Sequence, residues 1–98
     1  MRREIDKILR EKREVILRIA AQHGARNVQV FGSFARGEAG PDSDLDLMIQ
    51  LEPGRSLLDL IAIKQDLEDL LGCEVDVVTE AAISPYMKEQ VLKEAVNL

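Results

Sequence analysis

The sequence predicts a small α/β (α+β) domain of order αβαβαβα, built on a three-stranded mixed sheet. Three observations predict it. Segments with apolar residues at helical spacing alternate with short β-branched runs. Glycine or proline stands at most of the joins. The segment between the second and third apolar runs is long enough for a helical crossover between parallel strands. Residues 1–98 read as one domain, because 98 residues support one thin core and leave little room for a second lobe.

The first helix is expected from Arg2 to His23, where Ile5, Ile8, Leu9, Val15, Ile16, Ile19 and Ala20 recur at helical spacing and Gly24 is a natural stop. Val28 to Phe31 reads as the first strand. After Ser33 a short helix runs to about Arg36, and Gly37, Gly40 and Pro41 punctuate a loop. The second strand is Leu45 to about Leu51, ended by Pro53 and Gly54. Ser56-Leu57-Leu58-Asp59 has the form of a capping box, and the helix it opens carries a stripe of Leu57, Leu60, Ile61, Lys64, Leu67, Leu70 and Leu71 before Gly72 ends it. Glu74 to Thr79 is the third strand. The last helix has Ser84 as its cap, Pro85 at its first position, and Met87, Val91, Leu92 and Ala95 facing inward.

Composition narrows the function. Apolar residues make up 46% and charged residues 32%, as in a soluble folded protein rather than a disordered one. The net charge of -5 argues against broad, non-specific nucleic-acid binding. Residues 1–18 hold seven basic and four acidic groups, +3, so the remainder carries -8; the basic run reads as a solvated helix face. No stretch approaches the roughly 20 apolar residues of a membrane span. The single cysteine, Cys73, forms no internal disulfide and suits buried packing, so the expected compartment is the reducing cytoplasm.

The chemistry concentrates between Phe31 and Leu47. Asp44 and Asp46 stand one residue apart at the head of the second strand, so both carboxylates project to one face while Leu45, Leu47 and Ile49 take the other. Like charges that close repel unless one is protonated or a cation lies between them, and hard oxygen donors suit Mg²⁺ with substrate phosphates. Gly32-Ser33, after the first strand, supplies the complement: glycine admits close backbone approach, Ser33 is placed to cap the short helix, and free N–H groups attract phosphate. With strands one and two antiparallel, Gly32-Ser33 approaches Asp44. A parallel third strand then lays Asp76 beside the Asp44/Asp46 face, where a charge inside the apolar run Val75-Asp76-Val77-Val78 would be costly.

Each of these has a plainer reading: a strand-to-helix turn for Gly32-Ser33, a solvated edge pair for Asp44 and Asp46, a structural carboxylate for Asp76, and a surface charge for Arg36. Ser43 closes a turn with Asp42, His23 sits where it meets free helix-end carbonyls, and Tyr86 reads as a packing residue.

Gly32-Ser33, ten intervening residues, Asp44-Leu45-Asp46 and the later strand Asp76 together resemble the signature of the DNA polymerase β-like nucleotidyltransferases. The runs Gly32-Ser33-Phe34-Ala35-Arg36-Gly37 and Ser43-Asp44-Leu45-Asp46-Leu47 are similar to those of the minimal nucleotidyltransferases (MNT domains), including MntA-type antitoxins that partner HEPN-domain ribonucleases. Phe34 departs from the pattern, since relatives frequently carry a basic or polar residue there. The resemblance covers nearly the whole chain. It implies two Mg²⁺ ions held by Asp44, Asp46 and Asp76, attack of an acceptor hydroxyl on the α-phosphate, and a triphosphate held by Gly32, Ser33 and Arg36, with Asp76 orienting or deprotonating the acceptor. The implied activity is transfer of a nucleoside monophosphate, AMP from ATP, to a tyrosine of a HEPN toxin in a hetero-oligomer, as in a type VII-like antitoxin. Two alternatives stand beside it: an antitoxin that neutralises by binding alone, and an enzyme acting on a small molecule of antibiotic type.

Overall fold

The computed structural model describes residues 4–38 and 43–98 and contains the helices α1 (Glu4–Gln22), α2 (Ser33–Arg36), α3 (Leu57–Leu71) and α4 (Pro85–Glu94). The strands are β1 (Ala25–Phe31), β2 (Leu45–Leu51), β3 (Val75–Thr79) and β4 (Val96–Asn97), and a 3₁₀ turn at Glu80–Ala82 joins β3 to α4. The helix residues Arg2, Ile5 and Ile8, the loop residues Gly40 and Pro41, and the turn partner Asp42 lie outside what is described at side-chain level.

The sheet runs β3-β2-β1-β4. β1 is antiparallel to β2, and β3 is parallel to β2 through α3, so the mixed arrangement expected from the sequence stands. The strand count does not, because the chain adds a fourth: Val96–Asn97 pairs antiparallel with Gln29 and Val30 along the free edge of β1. Two residues carry too little pattern to read as a strand. They are held by the β1 edge, with Leu98 N–H donating to Val28 O at 3.0 Å.

β1 also starts three residues before the apolar run. Ala25 and Arg26 pair with Leu51 and Gln50, and the register then shifts. Asn27 sits in the left-handed region at φ 54° within that irregularity, as in a β-bulge, so a polar Arg-Asn step belongs to a strand.

One face of the sheet forms the core. Leu45, Leu47, Ile49 and Val75 pack with Ile16 of α1 and with Ile63 and Leu67 of α3, each at most 1% exposed. α3 opens with the predicted capping box: Ser56 Oγ accepts from Leu58 N–H, and Asp59 Oδ2 accepts from Ser56 N–H at 2.9 Å. Its buried stripe is phased differently from the expectation. Ile63 is fully buried, whereas Leu57 and Ile61 face solvent, because a helix with apolar residues at most positions does not reveal which stripe meets the sheet.

α4 departs further. Ser84 caps it by accepting from Tyr86 N–H, as expected, but only Val91 is buried; Met87 is 58% and Leu92 44% exposed. Tyr86, read as a packing residue, is 95% exposed. Cys73 is half-buried against the core, and burial pushes its thiol pKa up. His23 meets carboxylates rather than helix-end carbonyls, with Nε2 at 3.4 Å from Asp66 Oδ2 and Nδ1 at 3.9 Å from Asp59 Oδ1. Among the described residues, no helix is long and apolar enough to cross a membrane.

Candidate active site

β2 presents Leu45, Leu47 and Ile49 to the core and, by alternation, Asp46 to the opposite face, where Met48 is also buried. In the antiparallel register, Asp46 lies opposite Phe31, so the residue after Phe31 meets the carboxylate. That residue is Gly32. A Cβ built on it would stand 2.3 Å from Asp46 Oδ2, and its backbone, at φ 75° and ψ -152°, lies in a region only glycine occupies readily. Two independent constraints thus require glycine at this turn.

Ser33 is the first residue of α2 rather than its cap. Gly32 takes the capping position and no side chain caps the helix, so Ser33 is not occupied in the role the sequence suggested. Phe34, at the position where Phe departs from the family pattern, turns inward and is buried in the core at 9% exposure. The turn is closed by Arg36 N–H donating to Gly32 O and by Gly37 in a left-handed cap.

In the parallel register, Asp46 pairs with Asp76 of β3. Asp44 lies just before β2, exposed, two residues from Asp46. Asp76 is exposed too, which corrects the expectation of a costly charge inside an apolar strand: it stands on the open face of the sheet. The three carboxylates share one electrostatic environment. Asp46's carboxyl pKa is raised above its ordinary value, first by burial, then by the charges of Asp76 and Asp44, while the Arg36 cation pulls it down. Among the described residues, no three acidic, histidine or cysteine side chains converge tightly enough to make a ready-formed metal cage. The donor set nonetheless suits a hard divalent cation: oxygen ligands only, carrying excess negative charge that a cation would relieve.

Arg36 is engaged on both sides. Its Nε donates to Glu38 Oε1 and its Nη1 to Glu94 Oε1, each at 3.0 Å. Glu94, a partner 58 residues away, was not legible as a site residue. A cleft of about 200 Å³ opens beside the turn, lined by Phe31, Gly32, Arg36, Met87, Gln90, Val91 and Glu94. A roomier groove of about 520 Å³, including Arg26, Gln50, Thr79 and Lys88, lies towards the other end of β2 and holds none of the predicted site residues.

Comparison with known proteins identifies the family and the fold. The nucleotidyltransferase domain family matches residues 3–98. A Methanocaldococcus jannaschii chain provisionally named a protein adenylyltransferase is 41% identical, over 92% of this chain and 97% of that one. The protein adenylyltransferase MntA of Thermococcus cleftensis is 38% identical, over 95% and 91%. A solved structure provisionally described as a minimal nucleotidyltransferase superposes with a TM-score of 0.85 at 53% identity, over 94% of both chains. The Shewanella oneidensis complex of a tri-AMPylated HEPN toxin with its MNT antitoxin shares the fold, with a TM-score of 0.69 at 17% identity over 90% of this chain and 69% of that one. The chain belongs to the nucleotidyltransferase domain family, as a minimal nucleotidyltransferase.

Proposed function

We propose that this protein transfers AMP from ATP to a tyrosine hydroxyl of a HEPN-domain toxin, and so acts as an antitoxin of the type VII kind. The observation that carries the reading is the pairing of Asp46 with Asp76 on adjoining strands, with the Asp46 carboxylate packed directly against the Gly32 backbone. The adenylyltransferase names of relatives at 38–41% identity support the nucleotide, and the fold shared with an MNT antitoxin bound to a HEPN toxin supports the partner.

In this mechanism Asp44, Asp46 and Asp76 would hold two Mg²⁺ ions. Bound there, the metal supplies Lewis acidity that lowers the pKa of the attacking hydroxyl and neutralises the triphosphate. Ser33 and the N–H groups of the turn hold the β- and γ-phosphates, with Arg36 adding a charge-assisted contact. Asp76, exposed on the open face, orients the acceptor and takes its proton as the oxygen attacks the α-phosphorus. The bond from the α-phosphorus to the bridging oxygen breaks, pyrophosphate leaves, and a tyrosyl-AMP ester remains.

The test is Asp44→Asn together with Asp46→Asn, assayed for label transfer from α-labelled ATP to the toxin and for protection from it. Loss of both, with transfer down by about 10²-fold or more, is the expected result. Protection that persists without transfer would make the protein an antitoxin that acts by covering its partner. Labelling of a small alcohol or amino sugar instead of the toxin would move it to small-molecule chemistry.

A further inference from the structure

The cleft beside the Gly32 turn has two walls, the turn with α2 on one side and α4 on the other, and a polar chain ties them together. Arg36 Nη1 donates to Glu94 Oε1 at 3.0 Å, and Gln90 Nε2 lies 3.5 Å from Glu94 Oε2. Glu38, which accepts from Arg36 Nε, lies only two residues beyond Arg36, just past the end of α2, and fixes nothing across the cleft. Glu94 is the last residue of α4, separated from β4 by Ala95 alone, and ties that helix to the phosphate turn.

Stability is a poor reason for this strut. The Arg36 and Glu94 side chains are 42% and 24% exposed, and ion pairs so open to solvent add little. Orientation is a better one. A guanidinium carries five N–H donors in a rigid planar fork, so fixing two of them aims the rest. Here Nε and one N–H of Nη1 are taken, and among the described residues Nη2 is bonded to no carboxylate. α4 has little else to hold it on this side, since Val91 is its only buried residue and Met87, on the cleft wall, is largely exposed.

We propose that Glu94 is a positioning residue for nucleotide binding: by bonding Nη1 it turns the open edge of the Arg36 guanidinium towards the triphosphate held at the Gly32 turn and sets the spacing between that turn and α4. The inference rests on the nucleotidyl-transfer reading above and adds to it a residue outside the family signature.

The experiment measures ATP binding to the full chain by calorimetry, alongside KM for ATP and kcat in transfer to the toxin. Glu94→Gln raises Kd and KM for ATP about three- to tenfold, the size of one misaimed charge-assisted hydrogen bond, while kcat stays within about twofold. Its melting temperature stays within about 2 °C of the parent, as expected for a half-exposed pair. Glu38→Gln moves Kd less than Glu94→Gln does. The reversed pair, Arg36→Glu with Glu94→Arg, rebuilds the strut without returning a cation to the turn, so ATP binding stays weak. Unchanged Kd and KM in Glu94→Gln, or a loss shared equally by KM, kcat and melting temperature, would overturn the inference. Parent protein that binds ATP but transfers nothing would sink the proposed function and leave the Kd comparison to decide this one. Parent protein that binds no ATP would overturn both.

Discussion

Alternate residues of β2 meet two different environments. Leu45, Leu47 and Ile49 are at most 1% exposed in one cluster with α1 and α3, whereas Asp46, on the opposite face, is half-buried beside two further carboxylates. The same division separates two acidic groups. Glu68 of α3 accepts from Lys64 Nζ at 2.5 Å and from Val75 N–H at 3.1 Å, and these partners hold its carboxyl below the ordinary range. Asp46 is raised instead, by burial and like charge. One carboxylate is satisfied by the fold, and the other is left to be satisfied by something that binds. The face that carries Asp46 buries Met48 but stands outside the main core cluster, and so can hold an arrangement that folding alone would not favour.

The difference between the faces can be broken from either side. Leu47→Ala opens a cavity in a fully buried position and is expected to cost about 2–5 kcal/mol in urea unfolding, with label transfer per folded molecule little changed. Should transfer fall in step with a stability loss this large, the two faces would not be separable. Gly32→Ala places a Cβ against Asp46 Oδ2 at a glycine-only φ/ψ, which costs about 1–3 kcal/mol and removes transfer as well. A stable, active Gly32→Ala protein would mean the turn does not have to approach Asp46 so closely. Ser56→Ala removes the α3 cap for about 1 kcal/mol, leaving ATP binding intact.

The smallest effects sharpen the comparison by sign. Asp46, raised in the fold, contributes stability below the unfolded carboxylate value near 3.9, and this is lost as pH rises through its folded pKa. Metal-free Asp46→Asn is therefore more stable than the parent above that window, by less than about 1 kcal/mol after solvent screening, and converges with it in acid. Glu68, lowered in the fold, contributes stability above its unfolded value that is lost as pH falls through its folded pKa, so Glu68→Gln is the less stable protein at neutral pH. Thermal melts of both variants from pH 3 to 8, run with chelator, should diverge from the parent in opposite directions. Divergence in the same direction would refute the contrast.

Much of this was legible where local chemistry decides. The bounds of β2, the Ser56/Asp59 box and the Ser84-Pro85 helix start follow from alternation, capping and the missing proline N–H. The approach of the Gly32 turn to the head of β2 followed from an antiparallel pair, although the carboxylate it meets is Asp46 rather than the expected Asp44, and the pairing of the aspartate face with Asp76 followed from a parallel one. Other features had no local signal. Asn27 enters β1 through a bulge set by its neighbour strand, and Ile63 displaces Ile61 from the core because the sheet, not the helix, selects the stripe. Tyr86 is exposed because α4 buries little more than Val91.

The amino-acid order alone determined the four helices, the three longer strands, the glycine turn and the two aspartates placed one residue apart, because each depends on dihedral preference or on side-chain period within a few residues. Only the tertiary structure decided that Asp76 stands in the open on the sheet face, that β4 closes the β1 edge, and that Glu94 reaches Arg36 across 58 residues. Those depend on which surfaces remain uncovered once the core is packed, and no short stretch of sequence carries that information.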